Sequence, residues 1–112
     1  MNYTEKQTIV NAINVADGSK CASIIKRTYE NDVQINYSVN GDEVNISWIE
    51  SRRKGCGKGT LVLREFIEEF KDKNITLNAS DEDLAEWYER EGFVRTDSTA
   101  TKYIPMLRPL VK

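Results

Sequence analysis

Arg52-Arg53-Lys54-Gly55-Cys56-Gly57-Lys58-Gly59 is the stretch on which the fold turns. Its three glycines at alternate positions let successive backbone N–H groups point to one side. Arg52, Arg53, Lys54 and Lys58 bring positive charge to the same turn. Before it, Val44, Ile46 and Trp48 alternate with polar residues, the period of a half-buried strand. After it, Leu63, Phe66, Ile67 and Phe70 fall at i, i+3, i+4 and i+7, one face of a helix. Ile75 to Ala79 follows as a short apolar strand. The glycines therefore sit at the strand-to-helix corner of a βαβ unit from Glu43 to Ala79, whose crossover is long enough for parallel strands. A ligand is expected at that corner, where N–H groups and the helix N-terminus form an anion cradle suited to a diphosphate.

Two nucleotide motifs fail at this turn. A P-loop needs Ser or Thr after Gly57-Lys58 and glycine five residues before Gly57, where Gly59 and Arg52 stand. The dinucleotide fingerprint needs glycine at the position of Thr60.

Working outward, Val33, Ile35, Tyr37 and Val39 alternate strictly, and Asn40-Gly41 is a hairpin signal. With Cys21 to Tyr29 before them, residues 20 to 50 read as an antiparallel three-strand meander. Further upstream, Thr4-x-x-Gln7 has the form of a capping box, and Ile9, Val10 and Ile13 recur at helical spacing. This predicts a short N-terminal helix closed by Asp17-Gly18. Downstream, Ser80-x-x-Asp83 is expected to cap a second helix, with Leu84, Trp87 and Tyr88 as its buried face and Gly92 as its stop. Phe93 to Arg95 and Lys102 to Leu107 read as a C-terminal strand pair, with Pro105 and Pro109 pushing the last strand to an edge. The fold class is α/β, an α+β arrangement on a mixed sheet.

Composition narrows the chemistry. One hundred and twelve residues, 39% of them hydrophobic, suit a single domain over 1–112. A net charge of −2 argues against a dedicated nucleic-acid binder. With no histidine there is no Ser-His-Asp triad and no His-based zinc site. The two cysteines, Cys21 and Cys56, form no Cys-x-x-Cys pair, and no metal site is expected. The first residues lack the apolar block of a secretory signal, and no apolar run approaches a membrane span. The expectation is a cytoplasmic protein that touches neither membrane nor nucleic acid.

Arg52-x-x-Gly55-x-Gly57 resembles the pyrophosphate signature of the GNAT superfamily, the acyl-CoA-dependent N-acyltransferases. Ala85-Glu86-Trp87-Tyr88-Glu89-Arg90-Glu91-Gly92-Phe93 is similar to that family's Ala-x-x-x-Tyr-x-x-x-Gly-Phe segment. The resemblance spans residues 43 to 97 and extends to the meander before them. It implies a minimal-length member lacking the first strand and one N-terminal helix of larger relatives. It also departs from the family at Asp81, where many members carry Asn, and in the short link from Ile49 to Arg52.

The resemblance implies acetyl-CoA as cofactor, with its diphosphate on the N–H groups of Lys54, Gly55, Cys56, Gly57, Lys58 and Gly59. Arg52 and Arg53 would add charge, and the backbone of Ser47, Trp48 and Ile49 would pair with the pantetheine arm. Asn78, Asp81 and Tyr88 complete the expected cofactor contacts. Tyr88 by periodicity is a core aromatic; by resemblance it is the acid that protonates the leaving thiolate. Glu50, closing the strand before the turn, reads either as a solvated charge or as the base that takes the amine's proton, directly or through water. Cys56 contributes its N–H rather than its thiol. The implied activity is acetyl transfer to an amine of a protein, a peptide or a small polycation, such as a lysine side chain or an N-terminus. The alternative is a non-catalytic protein that keeps the CoA cradle and acts through a partner. Oligomeric state is not legible.

Overall fold

The computed structural model describes residues 2–11, 21–51 and 57–111. Seven strands and two helices follow in the order β1 (Tyr3–Asn11), β2 (Cys21–Tyr29), β3 (Val33–Asn40), β4 (Glu43–Ser51), α1 (Lys58–Glu69), β5 (Asn74–Ala79), α2 (Glu82–Arg90), β6 (Val94–Arg95) and β7 (Ile104–Arg108). They make one mixed sheet in the order β1-β2-β3-β4-β5-β7-β6. Among the described residues only β4 and β5 pair in parallel, with α1 between them in the chain as the sequence predicts. The mixed α+β class, the meander and the C-terminal strand pair all stand.

The core lies on one face of the sheet. The aligned row Ile25–Tyr37–Ile46–Leu77–Met106 crosses five strands, and its members from Tyr37 onward are buried. Val62, Leu63, Phe66 and Ile67 of α1 and Ala85 and Tyr88 of α2 close over that face. Both helices lie on the same side, because Trp87 Nε1 donates to Thr60 Oγ1 at 3.0 Å and Arg64 Nε reaches both oxygens of Glu91. The opposite face is polar. There Asn45 Nδ2 donates to Thr76 Oγ1 at 2.9 Å, and Thr76 Oγ1 donates to Glu43 at 3.2 Å.

The first element overturns the predicted N-terminal helix. Tyr3–Asn11 is a strand paired antiparallel with β2 over all nine residues, Tyr3 opposite Tyr29 through Asn11 opposite Cys21. The helical reading rested on three apolar positions. Against it stood Thr4, Thr8, Ile9 and Val10, β-branched residues that favour strands. The expected end of the helix, through Ile13 and Asp17-Gly18, lies outside the described residues. A first strand is thus present, contrary to the expectation that it is missing.

Long-range chemistry fixes β1. Arg27 on β2 is 2% exposed, and all five of its N–H donors find acceptors. Nε donates to Glu5 of β1; Nη1 and Nη2 donate to the two oxygens of Glu69 on α1, each at 2.9 Å. The remaining two reach the hydroxyls of Tyr29 and Tyr37, and the Tyr37 hydroxyl donates to Glu5. The Tyr3 ring covers the guanidinium at 3.9 Å. Burial opposes the charge on Arg27, but the bonds to Glu69, Tyr29 and Glu5 outweigh it and raise its pKa. One side chain thereby ties β1, β2, β3 and α1 together.

Pro105 does not push β7 to an edge. β7 lies between β5 and β6, and Pro105 faces Asn78 in the register. The Pro105 carbonyl accepts from the Thr96 N–H at 3.0 Å, on the β6 side. In an antiparallel strand a residue's N–H and C=O face the same neighbour, so the missing donor also falls on that side. There β6 is only two residues long, and the ladder to β5 is undisturbed. Pro109 lies just beyond the strand.

Candidate acyl-transfer site

The site starts with one extra residue in β4. Tyr37 faces Ile46 and Asn36 faces Trp48, so Ser47 is a bulge with no counterpart on β3. Its hydroxyl donates to the Asn36 carbonyl at 3.1 Å. The extra residue shifts the phase of everything after it. Val44 and Ile46 face the helices before the bulge; Ile49 and Ser51, opposite Ile35 and Val33, face them after it. Trp48 and Glu50 turn to the open polar face. Trp48, expected as core or cleft wall, is 55% exposed and forms a wall of the cleft.

The bulge also separates the parallel pair. The ladder between β4 and β5 runs from Glu43–Asn74 to Ile46–Leu77 and stops there, although both strands continue. Ser47, Trp48 and Ile49 therefore face a gap on the β5 side. A chamber of about 390 Å³ fills this V, lined by Ser47, Asn78, Tyr88 and Tyr103 among others. A wider groove of about 790 Å³ adjoins it through Trp48, Ile49 and Leu84, and reaches Glu50, Gly57, Lys58 and Gly59. These volumes fall in the range of ligand sites.

The start of α1 closes the far end of the groove. Gly57 is the N-cap with φ 71°, a left-handed conformation that glycine adopts without strain. No side chain caps this end and no acid lies in the first turn. The contrast with α2 is informative. There Asp81 accepts from the Leu84 N–H at 2.9 Å, and Glu82 and Asp83 occupy the first turn. The start of α2 is satisfied by its own chain, whereas that of α1 has no side-chain cap among the described residues and turns its N–H groups and positive dipole end toward an anion. A Cβ on Gly57 would meet nothing within 4 Å, so backbone conformation rather than crowding requires this glycine. At Gly59 a Cβ would make ordinary contacts, 3.9 Å to Ser51 and 4.0 Å to Trp87.

Tyr88 is 7% exposed and held by aromatic neighbours, Trp87 at 4.9 Å and Phe93 at 5.6 Å between ring centroids. Burial pushes its phenol up to about 12. A Schellman turn ends its helix: Phe93 N–H bonds the Tyr88 carbonyl, Gly92 N–H bonds that of Glu89, and Gly92 has φ 95°. The Tyr-x-x-x-Gly-Phe spacing thus has a local cause.

The structure brings Ser47, Trp48, Ile49, Glu50, Gly57, Lys58, Gly59, Asn78 and Tyr88 around one continuous depression. Glu50 lines the groove but not the chamber that holds Tyr88. Asp81 lines neither, and its carboxylate caps α2; the cap falls one residue after the predicted Ser80. Arg52, Arg53, Lys54, Gly55 and Cys56 lie outside the described residues. Leu84, predicted as buried helix face, is 38% exposed and walls the groove, whereas Trp87 packs against the core as expected and also lines the groove. Thr60 and Tyr103 went unread: Thr60 because its role comes from a bond to Trp87, Tyr103 because it reaches the chamber only through the loop before β7.

Three solved structures are similar to this chain in fold. The ribosomal-protein-S18-alanine N-acetyltransferase of Escherichia coli aligns over 97% of this chain and 96% of its own, with TM-score 0.62 and 14% identity. The PaiA N-acetyltransferase of Thermoplasma acidophilum, in complex with coenzyme A, aligns over 77% of this chain with TM-score 0.57 and 12% identity.

The chain has the GNAT fold.

The anti-CRISPR protein AcrVA5 aligns over 70% of this chain and 92% of its own, with TM-score 0.53 and 25% identity. This chain spans only 59% of the length of the Thermoplasma enzyme. No family model matches the sequence, and no curated protein is significantly similar to it. Among the described residues no helix is long and apolar enough to cross a membrane. Nor do three His, Cys, Asp or Glu side chains gather there as a metal site.

Proposed function

We propose that this chain transfers an acetyl group from acetyl-CoA to an amine of a protein or peptide. The observation that carries this reading is the V between β4 and β5, opened by the Ser47 bulge, running from an uncapped helix N-terminus to a buried tyrosine. The diphosphate would sit on the N–H groups of Gly57 to Thr60, with Lys58 beside it and Arg52 to Cys56 completing the cradle. The pantetheine amides would pair with the β4 backbone from Ser47 to Ile49, in the place that β5 vacates. A β4 N–H near Ile49 would hold the oxyanion.

The amine nitrogen attacks the thioester carbonyl, the C–S bond breaks, and sulfur leaves as thiolate. Glu50 takes the ammonium proton through water, since it lies in the groove next to the chamber. Tyr88 donates its phenolic hydrogen toward the sulfur. A phenol at about 12 is a weaker acid than a thiol near 8.5. Its part is therefore a hydrogen bond that stabilises the departing thiolate, while the proton lost by the amine rests on Glu50.

The likeness to the anti-CRISPR protein AcrVA5 favours a second reading of the acceptor: an amine on a protein of a CRISPR system. Acetylation removes a lysine's charge, and phosphate contacts depend on such charges.

Melting with acetyl-CoA, CoA, ATP and NAD tests the cofactor. Ligand at 100 times its dissociation constant adds about 2.7 kcal/mol. A shift with ATP or NAD but not with CoA refutes the reading. Binding of CoA without acetyl transfer to any lysate protein, read by mass spectrometry, favours the non-catalytic alternative.

A further inference from the structure

We propose that the nitrogen acylated in the chamber is the α-amine of a peptide, taken in its neutral form, in preference to a lysine side chain. The proposal rests on the acyltransferase reading and names the acceptor class of that same site. The polar walls of the chamber are Ser47, Asn78, Ser80, Tyr88 and Tyr103, and the rest of its lining is Trp48 and aliphatic residues. No charged side chain among the described residues lines it. Glu50 and Lys58 belong to the adjoining groove. Asp81 follows Ser80, but its carboxylate accepts from the Leu84 N–H. Lys102 precedes Tyr103 and is not part of the lining. An ammonium that enters therefore sheds water without meeting a counter-charge, which lowers its pKa. Burial raises the Tyr88 phenol by the same penalty on a charged form. Any cation of the glycine-rich turn that comes near acts in the same direction, because like charge disfavours an ammonium.

The β5 wall supplies an independent observation. β5 runs on to Ala79 after its ladder with β4 ends at Leu77. On its other side Asn78 faces Pro105 and Ala79 faces Ile104 of β7. The β4 side of this stretch is thus backbone without a strand partner, beside the Asn78 amide and the Ser80 hydroxyl. With the cofactor's amides on β4, this backbone is left for the acceptor. The first amides of a peptide reach it when the reacting nitrogen is terminal. A lysine brings methylenes to that depth and leaves those groups unpaired. In the reaction the ammonium gives its first proton to solvent on entry. The neutral nitrogen forms the C–N bond, its second proton passes through water to Glu50, and the C–S bond breaks to leave thiolate.

At pH 7.5 about a third of α-amines with pKa near 7.7–8.0 are neutral, against about one lysine in a thousand at 10.4, a ratio of about 200–300. Kinetics on the full chain with acetyl-CoA compare Ala-Gly-Gly-Gly-amide with acetyl-Gly-Lys-Gly-Gly-amide at that pH. The α-amine peptide is expected to have a kcat/KM at least about 30-fold higher. A lysine peptide acylated as fast or faster overturns the proposal. Titration calorimetry at pH 6.5 with CoA present, in two buffers of different ionisation enthalpy, counts protons without turnover. Binding of the α-amine peptide is expected to release about one proton. No release means that the ammonium itself binds, and overturns the proposal. Asn78→Asp sets a carboxylate in the chamber and is expected to cut the release to less than about half. An unchanged release in that variant places the amine outside the chamber and overturns the proposal too. Absence of turnover with both peptides refutes the acyltransferase reading, while the proton count is still read.

Discussion

Deleting Ser47 isolates what opens the cofactor groove. The partners of Trp48 to Ser51 on β3 are Asn36 to Val33, and a β4 one residue shorter keeps those pairs. The faces of Trp48, Ile49, Glu50 and Ser51 are therefore unchanged, and only the bulge is lost. A straight β4 is free to extend its parallel ladder beyond Ile46–Leu77, bringing Trp48 and Ile49 alongside Asn78 and Ala79. Two more ladder bonds at about 0.5–1.5 kcal/mol each stabilise the sheet by about 1–3 kcal/mol. Loss of the Ser47 hydroxyl bond to Asn36 offsets about 1 kcal/mol of this. The variant is expected to be as stable as the parent or up to about 2 kcal/mol more so, which raises Tm by as much as about 8 °C in a domain this size. The same closure fills the V, so CoA binding by calorimetry should fall below detection. A folded deletion variant that binds CoA like the parent would show that the bulge is not what holds the strands apart.

Tyr88→Phe is expected to leave CoA affinity and Tm near the parent values while turnover falls about 100-fold, as for loss of one hydrogen-bond donor to a charge that develops in the transition state. The Tyr88 phenol is raised from 10.0 to about 12 in the fold, so its contribution to stability is complete below pH 10 and is lost as pH rises through 12; Tyr88→Phe should flatten that alkaline loss in a pH series of melts. Arg27→Met should cost about 3–5 kcal/mol in urea unfolding, because a buried, fully bonded charge is removed from the junction of β1, β2, β3 and α1. At that junction burial raises the Glu5 pKa, but hydrogen bonds from Tyr37 and Arg27 lower it further, to a net value below 4.5. Its contribution is present above pH 4.5 and is lost as pH falls through the folded value, so Glu5→Gln should blunt acid unfolding. Gly57→Ala should lower stability by about 1–2 kcal/mol through its left-handed backbone alone, while Gly59→Ala, with room for a Cβ, should change Tm far less.

Periodicity settled the elements whose partners are close in sequence. The meander follows from strict alternation around Asn40-Gly41, and α1 from the spacing of Leu63, Phe66, Ile67 and Phe70. Gly92 and Phe93 revealed the end of α2 because a Schellman turn is a local hydrogen-bond pattern. Their spacing from Tyr88 in turn set the phenol at the chamber. Other features needed the third dimension. The first strand was misread because its stability comes from β2 and from Arg27, residues about twenty positions away, which outweigh a weak local helical pattern. Nothing around Arg27 in the sequence marks it, since Glu5, Tyr37 and Glu69 meet it only after the sheet and α1 have assembled. The bulge is equally hidden: an extra residue in β4 is defined only by what stands opposite it on β3. That one-residue mismatch decides which face Trp48 and Glu50 take and where the parallel strands part. Residue types along the chain thus determined the βαβ corner and the tyrosine, while the register between strands, a relation between distant backbones, decided the cleft they share.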